Sequence, residues 1–400
     1  MQANRYVPIQ PTIATDLIGT SRLVLAGVDG MTDVVEGMHR NIAGLAPIVG
    51  QSRPGPTRGI TGLVYRNIRR VSGLVGVGLD LTLNHLEPRF AGRQLGPGQD
   101  AARSAINGVL GDYLVASGNP LAIPMQLRHE GAALTLDRES LKAAFANPGR
   151  RLVVLVHGLC MNDRQWRRHQ HDHGEALGRD LGYTPLYLHY NSGRPITENG
   201  REFAALLELL VSEWPVPVDE LVIVGHSMGG LVSRSACRWA QGTDYQWPGR
   251  LKAIVFLGTP HHGAALERLG NGLDFLLGIS PYSAPIGRIG RGRSAGIQDL
   301  REGNVGGPCT SDLGKPESPP PGARYYAVAA STQAPGKRTP LSMLGDGLVS
   351  PRSALGQHPD QRRSLAIPSS RQALFHGLNH FDLLDNQSVY ERLLHWLGQS

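Results

Sequence analysis

The chain has 400 residues, 40% apolar and 18% charged, a globular balance that excludes a disordered chain. Its 51 glycines and 28 prolines follow no Gly-X-Y period, which excludes collagen. Forty Lys and Arg against 33 Asp and Glu give a net charge of +7, but no Lys/Arg-rich run marks a nucleic-acid patch, and no nucleic-acid partner is expected. Cys160, Cys237 and Cys309 lie too far apart for a disulfide framework or a zinc pair, so no metal or cofactor is expected. No signal peptide and no run of apolar residues long enough to span a bilayer is found, which makes the cytoplasm the expected location, with peripheral contact to a membrane or lipid body left open.

In chain order, residues 1–118 read as helical. Val24, Val28, Met31, Val35, Met38 and Ile42 form one stripe, and Val64, Ile68, Val71 and Val75 a second. A third helix is expected over Asp100 to Ala116, with Ile106, Val109, Leu110, Tyr113 and Leu114 inward. Residues 51–95 carry seven Arg against Asp80 and Glu87, the pattern of a stretch that lies on an anionic lipid surface or of a helical region packed on its neighbour. Then the period changes. Alternation on either side of Glu130-Gly131 predicts a hairpin, and a short helix follows from Glu139 to Ala146. Leu152 to Val156 is continuously apolar, as a strand buried on both faces must be. Further strands are predicted at Leu186–His189, Leu221–Val224, Ala253–Leu257, Tyr325–Ala329 and Gln372–Phe375, with helices between them and a last helix from Ser388 to Leu397. This alternation means a βαβ architecture. Leu266–Ile279 and the Pro/Gly-rich Gly303–Gly322 form a lid-like insert over about 264–322.

The chemistry gathers at Gly225-His226-Ser227-Met228-Gly229-Gly230, which runs from a strand into a helix. G-x-S-x-G in that setting presents a serine on a tight turn, with Gly225, His226 and Gly229 shaping the elbow and the Met228 amide facing the developing oxyanion. His157-Gly158-Leu159 ends the first buried strand, where a second oxyanion amide belongs, and Leu159 is the expected donor. Ser227 needs a histidine base oriented by an acid. His380, in the loop before the last helix, is the expected base, with His376 as competitor; His395 reads as exposed. Asp346 between two glycines is the expected acid and Asp360 the runner-up, while Asp382 sits too close to His380 in sequence. His157, Gly158, His261 and His262 are placed at the pocket edge; His157 reads more as structural than catalytic, and Thr259 to Gly263 equally well as a tight turn. His169, His171 and His173 alternate on what reads as a helix, where residues two apart share no face, so they are not expected to bind metal. Cys160 reads as a packed thiol.

Together these motifs resemble the α/β-hydrolase superfamily and, within it, the lipase-like, GPI-inositol-deacylase-like branch. The residues that carry the likeness are Val156 to Leu159, Gly225 to Gly230, Leu257 to Gly263, Gly345 to Val349 and Asn379 to Leu384. The resemblance covers about Ile123 to Leu397. It implies a mostly parallel sheet flanked by helices over 119–400 and hydrolysis of a small-molecule or lipid ester by Ser227, His380 and Asp346 through an acyl-enzyme; the helical N-terminal extension over 1–118 lies outside it. A thioesterase, polyester depolymerase or acyltransferase would use the same triad, and a scaffold protein with an idle hydrolase domain is the reading from another class.

Overall fold

The computed structural model describes residues 12, 13, 15–27, 70, 71, 74, 96–263, 294–303, 305, 319–334 and 345–399. The expected insert helix Leu266–Ile279, most of Gly303–Gly322, the stripe beyond Val24, nearly all of 51–95 and Cys309 lie outside those residues.

Eight strands form one sheet: β1 Gln126–His129, β2 Ala132–Ala133, β3 Arg151–Val156, β4 Thr184–His189, β5 Glu220–His226, β6 Leu251–Leu257, β7 Arg324–Ser331 and β8 Gln372–His376. Their order is β2-β1-β4-β3-β5-β6-β7-β8. The hairpin β1–β2 is antiparallel, β1 pairs antiparallel with β4, and the six strands from β4 to β8 in that order run parallel. Glu130 (φ 50°) and Gly131 (φ 77°) are both left-handed, which a two-residue hairpin turn of matching twist requires. The apolar runs of β3, β5 and β6 are buried almost throughout, because helices cover the sheet.

The helices are α1 Pro97–Ala116, α2 Arg138–Ala144, α3 His173–Leu181, α4 Ile196–Glu213, α5 Met228–Ala240, α6 Ala295–Glu302 and α7 Gln387–Gly398. Helices α4 and α5 pack together, as do α3 and α7. Side-chain caps set several of their starts: Asp137 for α2, Asp172 for α3, Ser294 for α6 and Asn386 for α7 each accept from the first turn. The chain runs from β3 outward to β4, then crosses to β5 on the other side of β3. That reversal opens a crevice at the carboxyl ends of β3 and β5, where open α/β sheets place their sites.

Two details differ from the sequence reading. His169 (φ 43°) and Gln170 (φ 65°) form a turn closed by an Arg168–His171 bridge, so only His173 is helical. The Asp172 carboxylate accepts the Gly174 and Glu175 amides and starts the helix there; His171 and His173 then meet, Nε2 to Nδ1, at 2.8 Å. In α1, Tyr113 is exposed, while Asp100, Arg103, Ser104, Asn107, Gly108 and Gly111 are buried with Val109. Of the five residues expected inward, Val109 and Leu114 are buried, Ile106 and Leu110 are half-buried and Tyr113 is exposed, so the inward face mixes apolar side chains with polar and small ones.

The chain divides into two compact units. One holds Gly96–Tyr113 with Ala122–Ser400, so most of α1 belongs with the sheet. The other holds Leu114–Leu121 with Gln10–Leu95; in it residues 15–27 are helical and Asn119 Nδ2 donates to the Gly19 carbonyl at 3.0 Å.

Burial holds several imidazoles neutral. It lowers the pKa of His157 and His173 to about 4, and it pushes His189, His226 and His261 well below the ordinary value. Below about pH 6.5 the unfolded chain binds protons that these buried rings refuse, so stability present above that pH is lost as the pH falls toward 4. Each ring contributes a slope of up to about 1.4 kcal/mol per pH unit. The urea midpoint should therefore fall steadily from pH 7 to pH 5; a constant midpoint would contradict this.

Candidate active site

Ser227 follows β5 directly, with φ 53° and ψ −123°, and α5 starts at the next residue. Its amide donates to the Leu257 carbonyl at 2.8 Å, which ties the turn to the end of β6. At Gly225 and Gly229, on either side of this bend, no side chain fits. A Cβ on Gly225 would lie 2.7 Å from Gly230 Cα, and one on Gly229 2.1 Å from the Val156 carbonyl oxygen. The first turn of α5, with its positive dipole end, begins beside the serine.

The loop after β3 reaches the same point. A Cβ on Gly158 would meet Ser227 Cβ at 3.1 Å. Cys160 turns the loop at φ 60°, and its amide donates to Ser192 Oγ at 3.0 Å. Among the described residues, the Leu159 and Met228 amides meet no acceptor. His157 is fully buried: its Nδ1–H donates to the Gly158 carbonyl at 2.8 Å, and its ring stacks on Tyr190 at 4.4 Å. The Tyr190 hydroxyl donates to the His157 carbonyl at 2.9 Å. Burial pushes the Cys160 thiol up to about 12, so at neutral pH it is a packed thiol and no nucleophile.

His380 and Asp346 are both buried and meet at 2.7 Å, Nδ1 to Oδ2. The carboxylate accepts, so the proton sits on Nδ1 and the lone pair on Nε2. Among the described residues, Nε2 has no hydrogen-bond partner. The other Asp346 oxygen accepts the Leu348 and Val349 amides at 2.9 and 2.8 Å, and the Asp346 carbonyl accepts the His380 amide at 3.1 Å. The acid is therefore locked in position. The His380 ring lies 4.7 Å from that of His226, the residue before Ser227, and His226 Nε2–H donates to the His380 carbonyl at 3.1 Å. Gly258, at the end of β6, leaves room for the ring: a Cβ there would stand 3.0 Å from Cε1 and Nδ1. Through His226, the residue before Ser227, the His380–Asp346 pair is held at the carboxyl end of β5.

The competing residues do other work. His376 is exposed and its Nδ1 lies 3.2 Å from the Gln333 carbonyl; Asp360 caps a short turn and pairs with Arg362; His395 is exposed in α7. Asp382 accepts the Asn379 amide at 2.7 Å and so shapes the loop that carries His380. His261 is buried, its Nδ1 3.2 Å from Arg234 Nη1, while His262 is half-buried with its ring 4.9 Å from that of His358. Ser192 and Tyr190 escaped the sequence reading. The signal was Tyr190-Asn191-Ser192 directly after β4, on the crevice side.

Among the described residues, Asp100, Asp163 and His189 carry atoms within 4.8 Å of one another, a spacing that suits a metal. Arg128 Nη1 lies 2.8 Å from a carboxylate oxygen of both Asp100 and Asp163, so a guanidinium already balances the pair.

Residues 147–282 match the family model described as the PGAP1-like alpha/beta domain. The architecture is the α/β-hydrolase fold. Similar solved structures include the mature lipase BlEst2 of Bacillus licheniformis, 18% identical with a TM-score of 0.43 over 63% of this chain and 93% of that one. Lipase B of Aspergillus fumigatus is 15% identical with a TM-score of 0.34, over 65% of this chain and 57% of that one. Esterase B of Lactobacillus rhamnosis is 11% identical with a TM-score of 0.37, over 63% and 76%. None of the curated proteins matches the chain.

The contacts of Gly229 predict that Gly229→Ala costs at least about 1–3 kcal/mol, since no rotamer change relieves a clash with backbone. Thermal unfolding should show a Tm several degrees lower; an unchanged Tm would contradict this packing.

Proposed function

We propose that this α/β-hydrolase-fold chain is a serine hydrolase that cleaves carboxylic esters through Ser227, His380 and Asp346. The observation that carries the reading is the buried His380–Asp346 pair, 2.7 Å apart, with His380 Nε2 left without a partner among the described residues. A buried imidazole whose Nδ1 proton is held by a carboxylate is a base waiting for an acidic proton.

In this account Nε2 takes the proton of the Ser227 hydroxyl as the oxygen attacks the ester carbonyl. The carbonyl oxygen gains negative charge, and the Leu159 and Met228 amides hold it; one such donor is worth about 3 kcal/mol to the transition state. His380 then gives its proton to the leaving alkoxide, and the acyl group stays on Ser227. Water attacks the acyl-enzyme with the same histidine as base, and the carboxylic acid leaves. Asp346 fixes the Nδ1 tautomer and stabilises the imidazolium in both steps. Burial keeps His226 and His157 neutral, so neither adds a competing positive charge beside His380.

The substrate class is a small-molecule or lipid ester. With p-nitrophenyl butyrate, Ser227→Ala should reduce kcat by about 10⁴-fold or more, and Asp346→Asn by about 10⁴-fold, each with the fold intact by circular dichroism. Wild-type turnover in Ser227→Ala would sink the assignment. A p-nitrophenyl series from acetate to palmitate reads the acyl preference.

A further inference from the structure

Helix α1 carries a buried stripe that the chemistry above does not use. Asp100, Ser104, Asn107, Gly108 and Gly111 recur at three- and four-residue steps and share one face. An apolar stripe would fit many surfaces; this one is bonded to particular partners. Asn107 Oδ1 accepts the Ile123 amide at 2.9 Å. The Gly108 carbonyl accepts Ser294 Oγ at 2.8 Å, and the Gly111 carbonyl accepts Asn191 Nδ2 at 3.0 Å. The helix is thereby joined to the loop after β4 and to the start of α6.

At Gly108 the helix backbone itself meets the loop after β3. A Cβ there would stand 2.2 Å from Cys160 Sγ and 2.9 Å from both Cα and N of Cys160. Only glycine allows this approach. Cys160 in turn holds φ 60°, a conformation a non-glycine residue keeps only when its surroundings enforce it. Its amide is taken by Ser192 Oγ, and the amide one residue earlier, that of Leu159, has no acceptor among the described residues.

We infer that Gly108 is a positioning residue for the oxyanion site: the backbone of α1 and the Ser192 hydroxyl clamp Cys160 in its left-handed turn, which aims the Leu159 N–H at the carbonyl under attack. The inference rests on the hydrolase reading above. Oxyanion donors act only within a few tenths of an ångström of the correct place, so whatever holds the loop sets the rate. A helix that precedes the sheet in sequence is then part of the catalytic machinery's support, and its polar stripe secures one register against the loop.

The test uses the full chain and ester kinetics normalised to the sites that a fluorophosphonate titrates. Gly108→Ala should lower kcat per titrated site at least about 10-fold, short of the 10²–10³-fold of a lost donor, with KM within about twofold. Gly108→Ala combined with Cys160→Ala, which removes the Sγ that the new methyl strikes, should recover part of the loss. Ser192→Ala removes the acceptor without adding bulk and should show the same kcat-selective defect, so it carries the test if Gly108→Ala does not fold. Wild-type kcat per titrated site in the folded variants would overturn the inference, as would a parallel change in kcat and KM with no recovery in the double variant. A wild type that neither turns over ester nor takes up the fluorophosphonate would overturn the hydrolase reading, and the inference with it.

Discussion

Ser227 stands at φ 53° and ψ −123° between a strand and a helix, a conformation that costs an L-residue about 1–3 kcal/mol. It persists because its surroundings leave the chain no other path. Its amide is bonded to the end of β6, and Gly225 and Gly229 close on neighbouring backbone where no Cβ fits. Much else follows from that bend. The sheet must place β5 between β3 and β6, and the loop after β3 must come close enough for Gly158 to touch the serine. The helix after the bend must begin at once, which brings its positive end to the same spot.

Around this point the molecule buries many polar groups and few charges. His157, His226, His261 and His380 all lie within the core. Three of them are held neutral by desolvation. His226 supports the His380 backbone, and His157 braces the turn that leads to Leu159. Cys160 belongs to the same logic: burial removes its reactivity and leaves its shape. The buried carboxylate bonded to His380, that of Asp346, is also held by two backbone amides.

The strands β3 and β5 to β7 were legible because burial on both faces forces continuous apolar runs, and the elbow because its glycines and serine can serve little else. Asp346 and His380 stood out by their loops, one between glycines and one before the last helix. The α1 stripe was not legible. Its partners are distant in sequence (Ile123, Cys160, Asn191, Ser294), and a polar helix face signals burial only once they are in place. The expectation of Ile106, Val109, Leu110, Tyr113 and Leu114 inward followed apolarity; Val109 and Leu114 are buried, and Tyr113 instead faces out. The turn at His169-Gln170 was hidden for a related reason: two non-glycine residues with positive φ leave no compositional mark, and Asp172, which decides the helix start, reads as one more polar residue.

The central claim is that Ser227 is a nucleophile activated by His380. Mass mapping of the native chain after reaction with a fluorophosphonate tests it most directly. The account predicts a single covalent adduct on the peptide holding Ser227, formed at neutral pH and lost in His380→Ala. No adduct, or an adduct on another residue that survives His380→Ala, would contradict it.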